Sequence, residues 1–256
     1  MKVHMQATGI ILKSPQELAV MRRAGKIVAA TIEALVQSAR PGTTTGELDA
    51  LAEEEIRRRG AVPSFKGYRG FKASICTSIN EEIVHGIPGP RVLKDGDILG
   101  LDVGAYLEGF HADSAVTIGI GDIGPQAQKL IEVTRTSLEA GIQAARAGNR
   151  LGDISWAIQQ VVEREGFSVV REYVGHGIGR NLHEEPPVPN YGQPGKGVVL
   201  QKGLALALEP MVNIGTWRTR LLSDGWTVVT DDGTLSGHFE HTIAITEGEA
   251  EVLTRP

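Results

Sequence analysis

The sequence predicts a mixed α+β protein made of two related halves, and three observations carry that reading. Helical and strand-like stretches follow the order helix, helix, strands, and the order then repeats. Residues 40–60, RPGTTTGELDALAEEEIRRRG, align without a gap with residues 146–166, RAGNRLGDISWAIQQVVEREG. Three later features also recur in order: His85-Gly86-Ile87 as His176-Gly177-Ile178, residues 96–102 as 203–209, and His111-Ala112-Asp113 as His238-Phe239-Glu240. The expected layout is a short N-terminal segment, 1–13, followed by one domain, 14–256, with half-repeats of about 14–120 and 121–256.

Each element has its own signal. Ser14-Pro15-Gln16-Glu17 places a capping serine, a proline at the first helical position and a glutamate three residues after the cap. Leu18, Met21, Gly25, Val28, Ile32 and Leu35 then share one helical face until Pro41-Gly42 ends it. Thr44 and Glu47 cap a second helix over about 46–59, closed by Gly60. Strands are expected at 71–79, 97–103 and 111–119, with turns at Pro88-Gly89-Pro90 and Asp95-Gly96. Gly124-Pro125 opens a third helix running to about 146, and a fourth covers about 152–165. The remaining strands are expected at 168–174, 203–209, 226–230 and 238–245, with Asp231-Asp232-Gly233 as a hairpin turn.

Composition narrows the function. A net charge of −5 gives no broad reason to bind nucleic acid or an anionic membrane. No apolar run approaches the roughly 20 residues that cross a bilayer, and no signal peptide is visible. Cys76 is the single cysteine, so no internal disulfide forms. These features predict a soluble cytoplasmic protein.

The duplication concentrates acids. Each half supplies a histidine, a carboxylate at the end of an apolar strand and a carboxylate soon after a histidine. Together they offer Asp102, Asp113, Glu209 and Glu240, with His85 and His176. A lone acid belongs on the surface, but Asp102 follows Ile98-Leu99-Gly100-Leu101 and Glu209 follows residues 204–208, LALAL. Four ionised carboxylates in one pocket repel, and two divalent metals are the natural answer. Oxygen ligands with an imidazole suit Mn, Co, Fe or Zn, and the choice among them is not written in the ligands.

Five segments then resemble the type I methionine aminopeptidases, the short bacterial form, from about residue 14 to the end. They are SINEEIVHGIP (78–88), LDVGAYLEGFHADSA (101–115), GHGIGRNLHEEP (175–186), LEPMVN (208–213) and FEHTIAIT (239–246). The resemblance implies the duplicated pita-bread fold, a curved antiparallel sheet with helices on its outer face. It implies that Asp102, Asp113, His176, Glu209 and Glu240 are metal ligands and that His85 and His183 are metal-free active-site histidines. It implies removal of the N-terminal methionine from nascent polypeptides by a water or hydroxide bridging two metals. Glu209 would move the proton, His183 would steady the oxyanion and His85 the scissile nitrogen. A monomer and transient ribosome contact are further expectations from the family.

The methionine pocket implied by the resemblance comprises Tyr68, Phe71, Cys76 and Trp226, with Phe65 and Leu182 nearby. Phe71 stands where a tyrosine is common, Phe65 and Val84 where cysteines are common, and Gly104 where a threonine is often found. His4, His111, His238 and His241 are read as structural, or as partners that steady a ligand, with His241 beside Glu240 foremost. His183-Glu184-Glu185-Pro186 is no zinc-binding helix, because Pro186 breaks it and the second histidine is missing. The alternatives are a proline-specific peptidase of the same fold and a non-catalytic peptide-binding relative. The glycine-flanked Lys196 lacks the rest of a phosphate-binding loop and reads as solvated.

Overall fold

The computed structural model describes residues 9–256. His4 and most of the expected N-terminal segment lie outside the described residues. The helices are α1 (Pro15–Ser38), α2 (Thr45–Arg58), α3 (Pro125–Ala144) and α4 (Leu151–Arg164). Capping boxes at Ser14/Glu17 and Thr44/Glu47 start the first two, as their sequences require. The first half carries strands β1 (Val62–Pro63), β2 (Cys76–Ile79), β3 (Glu82–Val84), β4 (Ile98–Leu107) and β5 (Phe110–Gly119). The second half begins its strands with β6 (Ser168–Val169), β7 (Gly175–Gly177), β8 (Glu184–Val188), β9 (Ala205–Leu208) and β10 (Met211–Asn213). It continues with β11 (Thr219–Leu221), β12 (Val228–Thr230), β13 (Ser236–His238), β14 (Glu240–Ala244) and β15 (Glu251–Val252).

A nine-stranded antiparallel sheet runs β1-β4-β5-β14-β9-β7-β8, with β2 added to β4 and β15 to β14. The halves meet where β5 pairs β14. Alternation along the strands sorts the side chains. Leu99, Leu101, Val103 and Ala105 of β4 pack with the apolar faces of α1 and α2. Leu206, Leu208 and Ile243 pack with α3 and α4. Asp102, Asp113, Glu209 and Glu240 therefore project from the opposite face. Gly25 lets α1 lie against the C-terminal segment, since a Cβ there would sit 2.0 Å from the Leu253 carbonyl oxygen.

Several expected strands are shorter or broken. Only 76–79 of the expected 71–79 is a strand, because Ser74 N and Ile75 N donate to Asp49 Oδ1 on α2 instead of to a neighbouring strand. Strand 168–174 stops at Val169, 203–209 stops at Leu208, and 238–245 is interrupted at Phe239, so His238 and Glu240 belong to different sheets. Asp231-Asp232-Gly233 is a turn but not a hairpin. Asp232 accepts from Thr216 N and Thr234 N, while β12 pairs β3 and β11, and β13 pairs β10. Strands β1, β3, β7, β8, β10, β11 and β15 have no separate sequence signal.

The strand register also corrects one repeat equivalence. His176 of β7 pairs Ala207 of β9, while in the first half Ser78 of β2 pairs Gly100 of β4. By position in the sheet, Ser78 is the counterpart of His176. His85 lies one strand further out, where Thr77 N donates to Gly86 O just as β8 flanks β7. His85 thus corresponds in place to a position on β8 rather than on β7.

Candidate metal centre and substrate cavity

The central strands bring the acids to one point. Asp102 stands in β4, Asp113 in β5 and Glu240 at the start of β14, while Glu209 follows β9. His176 occupies the middle of β7. Ligand atoms of Asp113, His176 and Glu240 all lie within 4.8 Å of one another, and His176 Nε2 is 3.5 Å from Glu209 Oε1. His176 Nδ1 donates to the Gly177 carbonyl oxygen at 2.9 Å, which leaves Nε2 as an acceptor facing the acids.

Burial dominates the electrostatics. It pushes Asp102 up to about 7 and His176 down to about 3. Burial raises Asp113, Glu209 and Glu240 well above the carboxylate range, and their neighbouring acids add to the effect. Among the described residues, Asp102 Oδ1, Asp113 Oδ1 and Glu240 Oε1 are buried with no hydrogen-bond partner. Buried acids without partners beside a neutral imidazole nitrogen form a donor set that fits divalent cations.

One cavity joins this cluster to two histidines and an apolar wall. Asp102, Asp113, His176, Glu209 and Glu240 line it, and so do His85 and His183. The expected pocket residues Tyr68, Phe71, Cys76 and Trp226 line it too, with Phe65, Leu182 and Val84. The His183 ring lies 4.2 Å from that of His176, and its Nδ1 is 2.9 Å from the Tyr68 hydroxyl. His85 sits edge-on to Tyr173 and Trp226, and burial pushes it down to about 4. Both His85 and His183 are thereby neutral near pH 7, with burial the main cause in each. Phe71 meets Trp226 edge to face at 5.0 Å, and burial pushes the Cys76 thiol up, so it is neutral packing.

The other histidines sort differently from expectation. His241 faces away from the acids, with Nδ1 2.8 Å from Thr254 Oγ1 and 3.3 Å from Ser114 Oγ. His238 is the one beside the cluster: its buried Nε2 is 3.9 Å from Glu209 Oε2 and has no hydrogen-bond partner among the described residues. His238 ends β13, two residues before Glu240 and across the break at Phe239. His111 is held by Ser64 Oγ at 2.9 Å and packs on Tyr106. Tyr173, Val174 and Arg69 also line the cavity. Arg69 lies on a short turn with no periodic signal, whereas Tyr173 and Val174 fall in the expected strand 168–174, beyond the point where it stops.

Comparison with known proteins agrees with this geometry. Residues 19–247 match metallopeptidase family M24. The chain is 58% identical to methionine aminopeptidase 1 of Bacillus subtilis, over 96% of this chain and 99% of that one. It superposes on the crystal structure of methionine aminopeptidase from Thermotoga maritima with a TM-score of 0.95 and 48% identity, covering 96% and 100% of the two chains. Prolidase from Pyrococcus furiosus, 20% identical with a TM-score of 0.79 over 96% of this chain and 65% of that one, shares the fold alone. The pita-bread α+β fold is common to all of them. Matched over almost its whole length at such identity, the chain belongs to metallopeptidase family M24, among its methionine aminopeptidases.

Proposed function

We propose that the protein is a two-metal hydrolase that removes the first methionine from newly made polypeptides. The observation that carries this is the junction of a buried, partnerless acid cluster with a partly open cavity lined by apolar side chains and two neutral histidines. Asp102, Asp113, His176, Glu209 and Glu240 would hold the metals. A divalent pair bound there supplies Lewis-acid polarisation of a carbonyl and activation of water at neutral pH.

The remaining roles belong to the chain's own side chains. Tyr68, Phe71, Cys76 and Trp226 receive the thioether side chain and exclude water from it. Glu209 accepts a proton on its carboxylate and delivers it to the leaving nitrogen. His183 donates a hydrogen bond to the carbonyl oxygen as negative charge develops there. His85 holds the scissile amide nitrogen. The proposal places the enzyme in the cytoplasm as a monomer of one domain, 14–256, with half-repeats of about 14–120 and 121–256, meeting nascent chains in transient contact with the ribosome. No helix among the described residues is long and apolar enough to cross a membrane.

The test is cleavage of Met-Ala-Ser after chelation and re-addition of Mn, Co, Fe or Zn singly, with Ala-Pro-Pro as the competing substrate. Metal-dependent release of methionine with Ala-Pro-Pro untouched is expected. Cleavage of Ala-Pro-Pro in preference, or methionine release that survives complete chelation, overturns the reading.

A further inference from the structure

Residues 10–13 lie against the loop that joins β7 to β8, the stretch between the two cavity histidines His176 and His183. Ile10 is buried in the core of the second half, and Lys13 N donates to Gly203 O at 2.7 Å. Lys13 Nζ donates to Glu184 Oε2 at 2.5 Å and to Ile11 O at 3.0 Å. The two side chains of this ion pair are only 1% and 4% exposed. The other carboxylate oxygen of Glu184 accepts Asn181 N at 3.1 Å, so one carboxylate closes the turn 181–184 on itself, with His183 inside the turn. The fit is close: a Cβ on Gly179 would lie 2.4 Å from Lys13 Cε and 2.8 Å from Glu184 Oε1.

A dry ion pair is a poor choice for stability alone, because two well-packed apolar side chains serve as well or better. What the pair does supply is a fixed geometry. Glu184 also enters β8 opposite Gly177, the neighbour of His176, so the carboxylate ties both histidine-bearing segments to one cation. Burial disfavours the Lys13 charge, and the Glu184 carboxylate beside it opposes that loss.

We propose that Lys13 is a positioning residue for His183, acting through Glu184: the ammonium holds the carboxylate, and the carboxylate holds the turn that aims the imidazole into the cavity. The proposal rests on the role given to His183 above. Among the described residues the Lys13 ammonium bonds to Glu184 and the Ile11 carbonyl and to no residue that lines the cavity, so its effect travels through Glu184.

The experiment is a double-mutant cycle on the metal-loaded full chain, with kcat, KM and thermal midpoint measured for Lys13→Met, His183→Ala and their combination. Lys13→Met alone is expected to lower kcat by about tenfold or more, with KM within about threefold. In the His183→Ala background the same change is expected to lower the midpoint as before and to leave kcat within about twofold. A full additive loss of kcat in that background shows a merely structural lysine and overturns the proposal. A silent His183→Ala removes the role of His183 itself and, with it, this inference; the two failures are therefore distinct. The apolar pair Lys13→Met/Glu184→Leu is the second check, in which a restored midpoint with kcat still depressed is expected. Restoration of both overturns the proposal.

Discussion

Ser114 and His241 face each other across the seam where β5 pairs β14, and the pair is its own counterpart in the duplication. The shift that carries Asp113 onto Glu240 also carries Ser114 onto His241. The approximate two-fold relation between the central strands therefore passes through this pair. Strand alternation sends Ser114 and His241 to the helix-covered face and sends Asp113 and Glu240 to the cavity.

That placement separates two histidines. His241→Ala loses the contacts to Thr254 and Ser114, worth about 1 kcal/mol and hence a thermal midpoint lower by roughly 2–4 °C. Metal stoichiometry and kcat are expected to stay at parental values. His238→Ala, beside Glu209, is expected to lower activity or metal affinity by about tenfold or more. Metal analysis and kinetics on the two variants give the answer, and equal effects would contradict this division.

Glu209 combines a place in the acid cluster with contact to two imidazoles, at 3.5 Å from His176 and 3.9 Å from His238. Glu209→Gln keeps the volume and removes the proton acceptor. Turnover of Met-Ala-Ser is expected to fall by about 100-fold or more. Unchanged turnover with both metals still bound would sink the proton-transfer assignment.

Removing the metals is expected to make stability fall with pH. Asp102 is raised to about 7 when folded, from an ordinary value of 3.8, and Asp113, Glu209 and Glu240 are raised as well. Their contribution is complete below the unfolded carboxylate values and is lost as pH rises through the folded ones. His85, His176 and His238 are depressed from 6.5 to about 4, 3 and 3, so their contribution is complete above 6.5 and is lost only on acidification. Above about pH 7.5 the depressed histidines no longer change, and the raised acids still do. Thermal melts of chelated protein should thus show a lower midpoint at about pH 9 than at about pH 7.5, while the metal-loaded protein shows no such fall. A chelated midpoint that is flat or rising over this window would refute the account.

The sequence was most legible where local rules act alone. Capping boxes at Ser14 and Thr44 set two helix starts to within a residue or two, and the apolar runs before Asp102 and Glu209 marked β4 and β9. The acids were legible because a buried carboxylate on an apolar strand demands an explanation. What failed depended on partners far along the chain. Asp49 draws Ser74 and Ile75 out of the expected strand, and Asp232 ties its turn to Thr216. The pairing of His85 with His176 followed a shared His-Gly-Ile string, and only strand register shows that Ser78 holds the equivalent place. Tyr173 lines the cavity from the irregular backbone after Val169, where the sequence suggested that the strand 168–174 continues.

Gly104 bears on the shape of the methionine pocket. Its φ is not positive, so the backbone does not demand glycine; the space does. A Cβ there would lie 2.8 Å from both Phe65 Cε1 and Ser64 Cβ, and Phe65 lines the cavity together with Asp102. A side chain at 104 must displace the Phe65 ring or Ser64, and Phe65 is part of the cavity wall. Gly104→Thr is expected to cost about 1–3 kcal/mol of overpacking, seen as a lower thermal midpoint, and to raise KM for Met-Ala-Ser. Phe65→Cys/Gly104→Thr frees that volume and should recover most of both losses, because the two positions share one space and cannot be additive. Kinetics and melts on the single and double variants decide it. A silent Gly104→Thr, or a double variant no better than the single one, would mean that Phe65 has room to move elsewhere and that the two residues are not coupled.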